Sequence, residues 1–170
     1  MYLGIRYDME TFKLEKPVWN DKDFSIMGWH DATLWSMLAN PIAFEFLFDL
    51  DYIFKWVPPK EGEANYKFLV APVTMVFENA HDIKVNINSA QGTIEIADLH
   101  REKSKATPNG KFTEYTYSFK CQEGEISVVA TGFKMFVRKQ PELLQRQSFE
   151  LGQRQGITFG RTLIDERCTS

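Results

Sequence analysis

Cysteine and histidine are scarce in this chain, with two cysteines and three histidines among 170 residues. Cys121 and Cys168 stand far apart, and so few cysteines disfavour a small secreted domain held together by disulfides. We therefore expect two free thiols in a reducing compartment. His30, His81 and His100 show no metal-ligand spacing with one another, which predicts neither a zinc site nor a Cys–His catalytic pair.

Long apolar runs, clustered glycines and an excess of positive charge are also missing. No stretch approaches the ~18 uninterrupted apolar residues of a membrane-spanning helix, and the N-terminus lacks the basic region and apolar run of a secretory signal. The formal net charge of −3 disfavours nucleic acid or an anionic membrane as a partner. The sparse glycines near the C-terminus do not form a phosphate loop. We expect a cytoplasmic protein without a cofactor.

Apolar and aromatic residues are abundant. They make up 44% and 14% of the chain, with 14 phenylalanines, and this composition excludes a disordered chain. A chain of 170 residues is long enough for one good hydrophobic core and short for two. We predict a single β domain over residues 1–170, with an irregular N-terminal arm at about 1–26 and a C-terminal tail at about 152–170.

The clearest pattern is an alternation that runs from position 42 to position 56. Every even position is apolar: Ile42, Phe44, Phe46, Phe48, Leu50, Tyr52, Phe54 and Trp56. Most of the odd positions are charged: Glu45, Asp49, Asp51 and Lys55. A period of two is typical of a β-strand, since a helix would scatter these side chains around its circumference. We therefore predict one long strand with an apolar face in the core and a charged face in solvent.

Shorter alternating segments surround this strand and are separated by turn residues. The turn at Asn40-Pro41 joins residues 29–39 to the long strand, which predicts a β-hairpin. Within residues 125–138 the apolar phase shifts at Gly132, which predicts a β-bulge. Pro141 precedes a run that favours one or two helical turns.

Together these segments predict an all-β fold. About seven strands joined by short turns, with at most one short helix near the C-terminus and no βαβ spacing, indicate an antiparallel sheet. A strand over positions 42–56 would be about 50 Å long if straight, which exceeds the usual strand length. Such a strand must bend to serve both halves of a sandwich or to wrap a barrel. We predict an antiparallel sandwich or a partly closed barrel, and favour the sandwich.

Four residues form the candidate ligand- or partner-binding site: His30, Asp31, Asp49 and Asp51. Asp49 and Asp51 are two apart on the predicted strand, so both carboxylates point away from its apolar face. If the hairpin closes at the predicted turn, Asp31 lies about opposite Asp51. Carboxylates at this spacing can bind a hard cation or act as an acid and a base. The alternative is a solvated face, whose exposed charges contribute little to stability.

Three segments resemble a family of small, uncharacterised bacterial cytoplasmic proteins: MGWHD (27–31), FDLDYIFKWVPP (48–59) and FLVAPVTMVFENAHDIKVNI (68–87). The family pattern has a Trp-His-Asp start, a Leu/Ile-Asp-Tyr-Ile strand that ends at Trp and Pro, and a strand similar to Ala-Pro-Ala-Thr. Here Val73 follows the proline where the family has a small residue. The resemblance covers residues 27–87. It implies a bacterial cytoplasmic origin and carries no known activity.

These features favour a binding protein over an enzyme. The first hypothesis is a protein-interaction module, such as an immunity-type or regulatory partner, that uses exposed strand edges and the acidic face with Asp49 and Asp51. An alternative is a carrier of a small apolar ligand with an aromatic-lined cavity, which dense packing of Phe44, Phe46 and Phe48 would argue against. A second alternative is a metal-assisted hydrolase built on the acidic cluster.

Overall fold

The computed structural model describes residues 12–164, and the positions before and after this range are not described. Ten strands follow one another along the chain: β1 Val18–Asn20, β2 Ala32–Asn40, β3 Glu45–Val57, β4 Lys67–Glu78, β5 His81–Ile87, β6 Glu95–Ala106, β7 Thr113–Cys121, β8 Gly124–Ala130, β9 Gly132–Val137 and β10 Glu142–Leu144. A 3-10 helix at Asp21–Ile26 begins at a capping box, in which the Asp23 carboxylate accepts a hydrogen bond from the Asn20 N–H. The predicted irregular arm therefore contains β1 and this helix.

The described strands form one antiparallel sheet that does not close into a barrel. Their order is β1-β9-β4-β3-β2-β6-β7-β8-β5, and β10 pairs with β4 on the edge opposite to β3, which it shares with β9. The prediction of an antiparallel all-β fold is confirmed, and the architecture is consistent with a sandwich or a partly open barrel. The predicted number of strands was too low, because the short strands β1 and β10 have no recognisable alternation and residues 125–138 form two strands instead of one.

The core joins the two halves of the curled sheet through aromatic rings. The Phe48 ring on β3 lies 4.8 Å from the Phe119 ring on β7, between centroids, and the Phe77 ring on β4 lies 5.0 Å from that of Tyr117 on β7. Phe133 on β9 contacts both Phe77 and Tyr117. Each of these side chains is at most 1% exposed. The apolar alternation of the sequence therefore does build the core.

The predicted hairpin is confirmed, but its central strand is shorter than the alternation. In the β2–β3 hairpin Asn40 pairs with Glu45, so positions 41–44 form the loop. Ile42 and Phe44 lie in this loop and are 91% and 65% exposed. Phe44 has a φ of 56°, in the left-handed region that interrupts a strand. The prediction that these two side chains belong to the core was wrong, because the apolar pattern continues past the end of the strand.

Both faces of β3 are buried, which overturns the predicted solvated face. The inner face carries the expected core residues Phe46, Phe48, Leu50 and Tyr52. The outer face carries Leu47, Asp49, Asp51 and Ile53, and none of these is more than 6% exposed. Residues 145–164, which we call the C-terminal segment, cover this outer face. Phe149 packs with Ile53 there, so that the predicted tail is part of the packed structure as far as residue 164.

A register shift near the end of β3 exchanges its two faces. Ile53 pairs with Val70 on β4 and Lys55 pairs with Leu69, so one extra residue is inserted on β3. Ala71 is a core residue, and Leu69, two positions before it on β4, faces the same inner side. Lys55 is paired with Leu69, so beyond this bulge Lys55 also faces the inner side. Trp56 moves to the outer side, where its ring lies 5.1 Å from that of Phe68.

Two further sequence predictions are corrected. Residues 142–144 form β10 instead of a helical turn, because they pair with Phe68–Val70 of β4 and this pairing outweighs their helical preference. The phase shift at Gly132 marks a break between two strands. β8 ends at Ala130 and pairs with β5 and β7, whereas β9 begins at Gly132 and pairs with β4 and β1.

The tight turn into β8 depends on a glycine. Gly124 has a φ of +145°, and an added Cβ would collide with the carbonyl oxygen of Asn86 on β5. We expect Gly124→Ala to lower the free energy of unfolding by about 2–4 kcal/mol, since the two backbones must separate. Urea unfolding measures this change. The control is Gly152→Ala, because a Cβ there meets no atom within 4 Å. Equal unfolding midpoints for the two variants would contradict the prediction.

Candidate functional site

The four predicted site residues fall into two groups. Asp49 and Asp51 lie on the outer face of β3, beneath the C-terminal segment, and are 0% exposed. His30 and Asp31 precede β2; His30 lines a surface cleft, and Asp31 is buried. Thr33 pairs with Asp51 in the hairpin, so the prediction that Asp31 lies opposite Asp51 was wrong.

Asp49 is held by two arginines that follow it far along the chain. Its Oδ1 accepts from Nη2 of Arg138 at 2.7 Å and from Nη2 of Arg154. Its Oδ2 accepts from Nη1 of Arg154 at 2.9 Å and from the backbone N–H of Thr158 at 3.0 Å. Both oxygens are therefore saturated by donors, as a buried carboxylate requires.

Asp51 shares one of these arginines and ties the C-terminal segment to the sheet. Its Oδ1 accepts from Nε of Arg154 at 3.0 Å, and its Oδ2 accepts from the Trp35 indole at 2.8 Å and the Phe149 backbone N–H at 2.9 Å. The guanidinium of Arg154 also lies 4.9 Å from the centre of the Trp35 ring, a cation–π distance.

The two aspartates and two arginines form a neutral, fully engaged cluster. Burial lowers the pKa of Arg138, and the Asp49 carboxylate only partly opposes this effect. For Arg154 burial also acts downward, but hydrogen bonds and charge from Asp49 and Asp51 raise its pKa above the usual value. Because every carboxylate oxygen already accepts from a donor, the arrangement stabilises the fold and offers no vacant ligand. Among residues 12–164, no three His, Cys, Asp or Glu side chains are grouped to hold a metal ion.

A small cavity beside this cluster is lined by four basic side chains, which makes it an apparent anion site. Its volume is about 170 Å³, and the four are Arg138, Lys139, Arg154 and Arg161. Their donors are already engaged, however. Arg161 binds both carboxylate oxygens of Glu45, and Lys139 lies 2.6 Å from the carboxylate of Glu142. The cavity therefore offers little to an anion.

The cleft that His30 lines has more aromatic side chains in its walls than the basic cavity beside the Asp49 cluster. It measures about 230 Å³ and lies where the last turn of the 3-10 helix meets the end of β3; we call it the Trp56 cleft. Its lining is mainly aromatic and apolar: Trp19, Ile26, Met27, Gly28, His30, Tyr52, Ile53, Phe54, Lys55 and Trp56. At its floor the Tyr52 hydroxyl accepts from the Gly28 N–H at 3.1 Å, and burial raises the pKa of Tyr52 to about 12.

His30, which lines this cleft, pairs with the buried carboxylate of Asp31. Nδ1 of His30 lies 2.7 Å from Oδ1 of Asp31, and the other oxygen of Asp31 accepts from the Gln147 amide at 2.6 Å. Asp31 has a φ of 64°, an unusual conformation for a non-glycine residue and one often found at functional positions. The negative charge of Asp31 also adds to burial in raising the pKa of Glu95.

Partly exposed aromatic rings extend the cleft into a surface. The Trp56 ring is within 5.7 Å of the His30 ring and 6.1 Å of the Tyr66 ring, in edge-to-face arrangements. Trp56 is 41% exposed, Tyr66 48% and Ile26 70%. Together with the cleft, these side chains form a contiguous apolar area fixed by ring contacts, rather than single exposed residues scattered over the surface.

One half of this site could be predicted from the sequence and the other could not. His30 and Asp31 were predicted as site residues, whereas the alternation assigned Trp56 to the core and no role was predicted for Arg138 or Arg154. A signal for Trp56 was present, since an alternating segment longer than a small domain must overhang the core at its ends. For the arginines no local pattern distinguishes them from other basic residues.

The chain matches no protein-family model and no curated protein sequence. The resemblance to a bacterial cytoplasmic family therefore stays a prediction. Across residues 12–164 no helix is long and apolar enough to cross a membrane.

Proposed function

We propose that this protein is a protein-interaction module, of the regulatory or immunity-partner type, and that the Trp56 cleft with its flanking rings is its contact surface. The observation that carries the proposal is the contiguous exposed area of Trp56, Tyr66 and Ile26 around a preformed cleft. Tryptophan, tyrosine and methionine are enriched in the cores of protein interfaces, and tryptophan and tyrosine dominate their binding energy.

The packing of the Trp56 ring against its neighbours also favours this function. Trp56 is held between the rings of His30, Tyr66 and Phe68, so that little side-chain freedom is lost when a partner binds. Preorganised contact residues give higher affinity for the same buried area. The acidic face that the sequence suggested as the contact surface is covered, because Asp49 and Asp51 are completely buried.

The other two functions have less support. A carrier needs room, and ligand pockets usually have ~300–1,000 Å³, whereas the Trp56 cleft has about 230 Å³. Phe46 and Phe48 are packed in the core and Phe44 is on the surface, so none of them lines a ligand cavity. A hydrolase built on Asp49 and Asp51 would first have to displace the arginines that occupy them. A cytoplasmic location remains part of the proposal.

Removal of the Trp56 side chain tests the proposal. Immobilised wild-type protein and Trp56→Ala are used to capture partners from the source cells, and the partner is then purified for titration calorimetry. We expect a hot-spot effect of at least ~2 kcal/mol, which is about 30-fold in Kd. The matched control is Phe112→Ala, which removes an aromatic ring that is 57% exposed on the loop between β6 and β7.

The outcomes separate clearly. Loss of one partner with Trp56→Ala and its retention with Phe112→Ala supports the proposed surface. Equal Kd values for wild type and Trp56→Ala, with both proteins folded by thermal unfolding, would overturn it.

A further inference from the structure

Lys55 is the one charged side chain among the ten residues that line the Trp56 cleft. The nearby carboxylate of Asp31 is already engaged by His30 and by the Gln147 amide. The whole chain has a net charge of −3. The cleft is therefore an aromatic depression whose one charged lining side chain is basic. A positive side chain beside apolar rings attracts a ligand of opposite charge.

The position of Lys55 follows from the bulge in β3. Strict alternation would put Lys55 on the same face as Asp51 and Ile53, beneath the C-terminal segment. The register shift between Ile53 and Lys55 instead turns Lys55 to the inner side, where it lines the cleft beside Phe54. Bulges often re-aim a side chain at a functional position. Lys55 is exposed, so its ammonium group is accessible to a ligand.

The size of the cleft limits what can enter it. An apolar cavity of ~150 Å³ accepts a benzene molecule, and the Trp56 cleft measures about 230 Å³. It is suited to one aromatic or large aliphatic side chain. The rings of Trp19, Phe54 and Trp56 supply the apolar walls that such a side chain requires.

We propose that the Trp56 cleft recognises an acidic segment of its partner, in which one large apolar side chain enters the cleft and a neighbouring carboxylate pairs with Lys55. This inference rests on the proposed interaction function and adds the chemistry of the partner. The apolar side chain supplies most of the affinity. The pairing with Lys55 at the rim supplies charge selectivity, faster association and sensitivity to salt.

Short peptides of defined charge test this chemistry without a known partner. The probes are the N-acetylated, C-amidated tripeptides EFE, KFK and EAE, titrated into the 15N-labelled protein and followed by NMR. EFE is expected to shift the amide signals of Lys55 and Trp56 and to bind at least ~5-fold more tightly than KFK, which is about 1 kcal/mol. EAE, which lacks the ring, is expected to bind more weakly than EFE.

Charge variants provide the decisive comparison. Lys55→Glu is expected to reverse the preference between EFE and KFK, and Lys55→Arg is expected to keep it. The control Lys84→Glu makes the same change in net charge at an exposed position of β5 and should leave the preference unchanged. Equal affinity for EFE and KFK, shifts confined to another surface, or an unaltered preference in Lys55→Glu would overturn the inference. If Trp56→Ala still abolishes capture of the partner in that case, the interaction function stands and only the acidic recognition fails.

Discussion

Asparagine in place of Asp49 is expected to lower the free energy of unfolding by about 3–5 kcal/mol, the cost of removing one member of a buried ion pair. Asp49 accepts hydrogen bonds from Arg138 and Arg154 in a position that is 0% exposed. The neutral amide leaves both guanidinium groups short of negative charge. The NH₂ group of the asparagine would also place a hydrogen-bond donor against the N–H donors of the two arginines.

Chemical unfolding of wild type and Asp49→Asn measures this loss. The matched control is Asp82→Asn, because the Asp82 side chain is 68% exposed and surface substitutions usually change stability by less than ~0.5 kcal/mol. A solvated face would give the same small value at position 49. Indistinguishable unfolding free energies for the two variants would therefore refute the buried cluster.

Aspartate in place of Phe48 is expected to abolish cooperative folding. Phe48 is 1% exposed and contacts the rings of Phe46, Phe77 and Phe119, which come from both halves of the sheet. An unpaired charge at this point has no compensating partner. The milder Phe48→Ala is expected to fold but to lose about 3–5 kcal/mol through the cavity that it creates.

Circular dichroism during thermal unfolding measures both variants. Phe44→Ala is the control, because Phe44 belongs to the same alternating segment yet is 65% exposed in the hairpin loop. It should change stability by no more than ~0.5 kcal/mol. A sigmoidal unfolding transition for Phe48→Asp close to that of wild type would contradict the assignment of Phe48 to the core.

The fold could be predicted from local pattern because apolar residues recur at every second position of a β-strand. The alternation around Phe48 identified the central strand, and the turn at Asn40-Pro41 identified its hairpin partner. Pattern could not mark where the strand stops, since Ile42 and Phe44 continue the alternation in a loop. It also could not reveal the bulge between Ile53 and Lys55, which depends on the pairing with β4.

The burial of the charged face could not be predicted for a different reason. Asp49 meets its partners Arg138 and Arg154 across 89 and 105 positions of the chain. Charged residues at alternate positions of a strand indicate a solvent-exposed face in most proteins. Only the long-range contacts with the arginines show that this face is buried. Four charges buried together are tolerable when each is paired and hydrogen bonded, and here they also fasten the C-terminal segment through Thr158 and Phe149.

The candidate site, like the fold, could be predicted only in part. His30 and Asp31 stood out as a local motif, and the structure places His30 in the lining of the Trp56 cleft, paired with Asp31. Trp56 was assigned to the core because its even position in the alternation gave no hint of the register shift. The proposed contact surface therefore lies where the long strand overhangs the core, whereas Asp49 and Asp51, near the middle of the strand, are buried in the fold.

Carboxyl footprinting tests most directly whether Asp49 and Asp51 are buried. Native protein is treated with a carbodiimide and glycine ethyl ester, and modification of each carboxylate is read by peptide mass spectrometry. We expect Asp49 and Asp51 to stay unmodified while the exposed Asp82 and Glu102 react, and all four to react once the protein is unfolded in urea. Modification of Asp49 and Asp51 in the native protein at the rate of Asp82 would contradict the account.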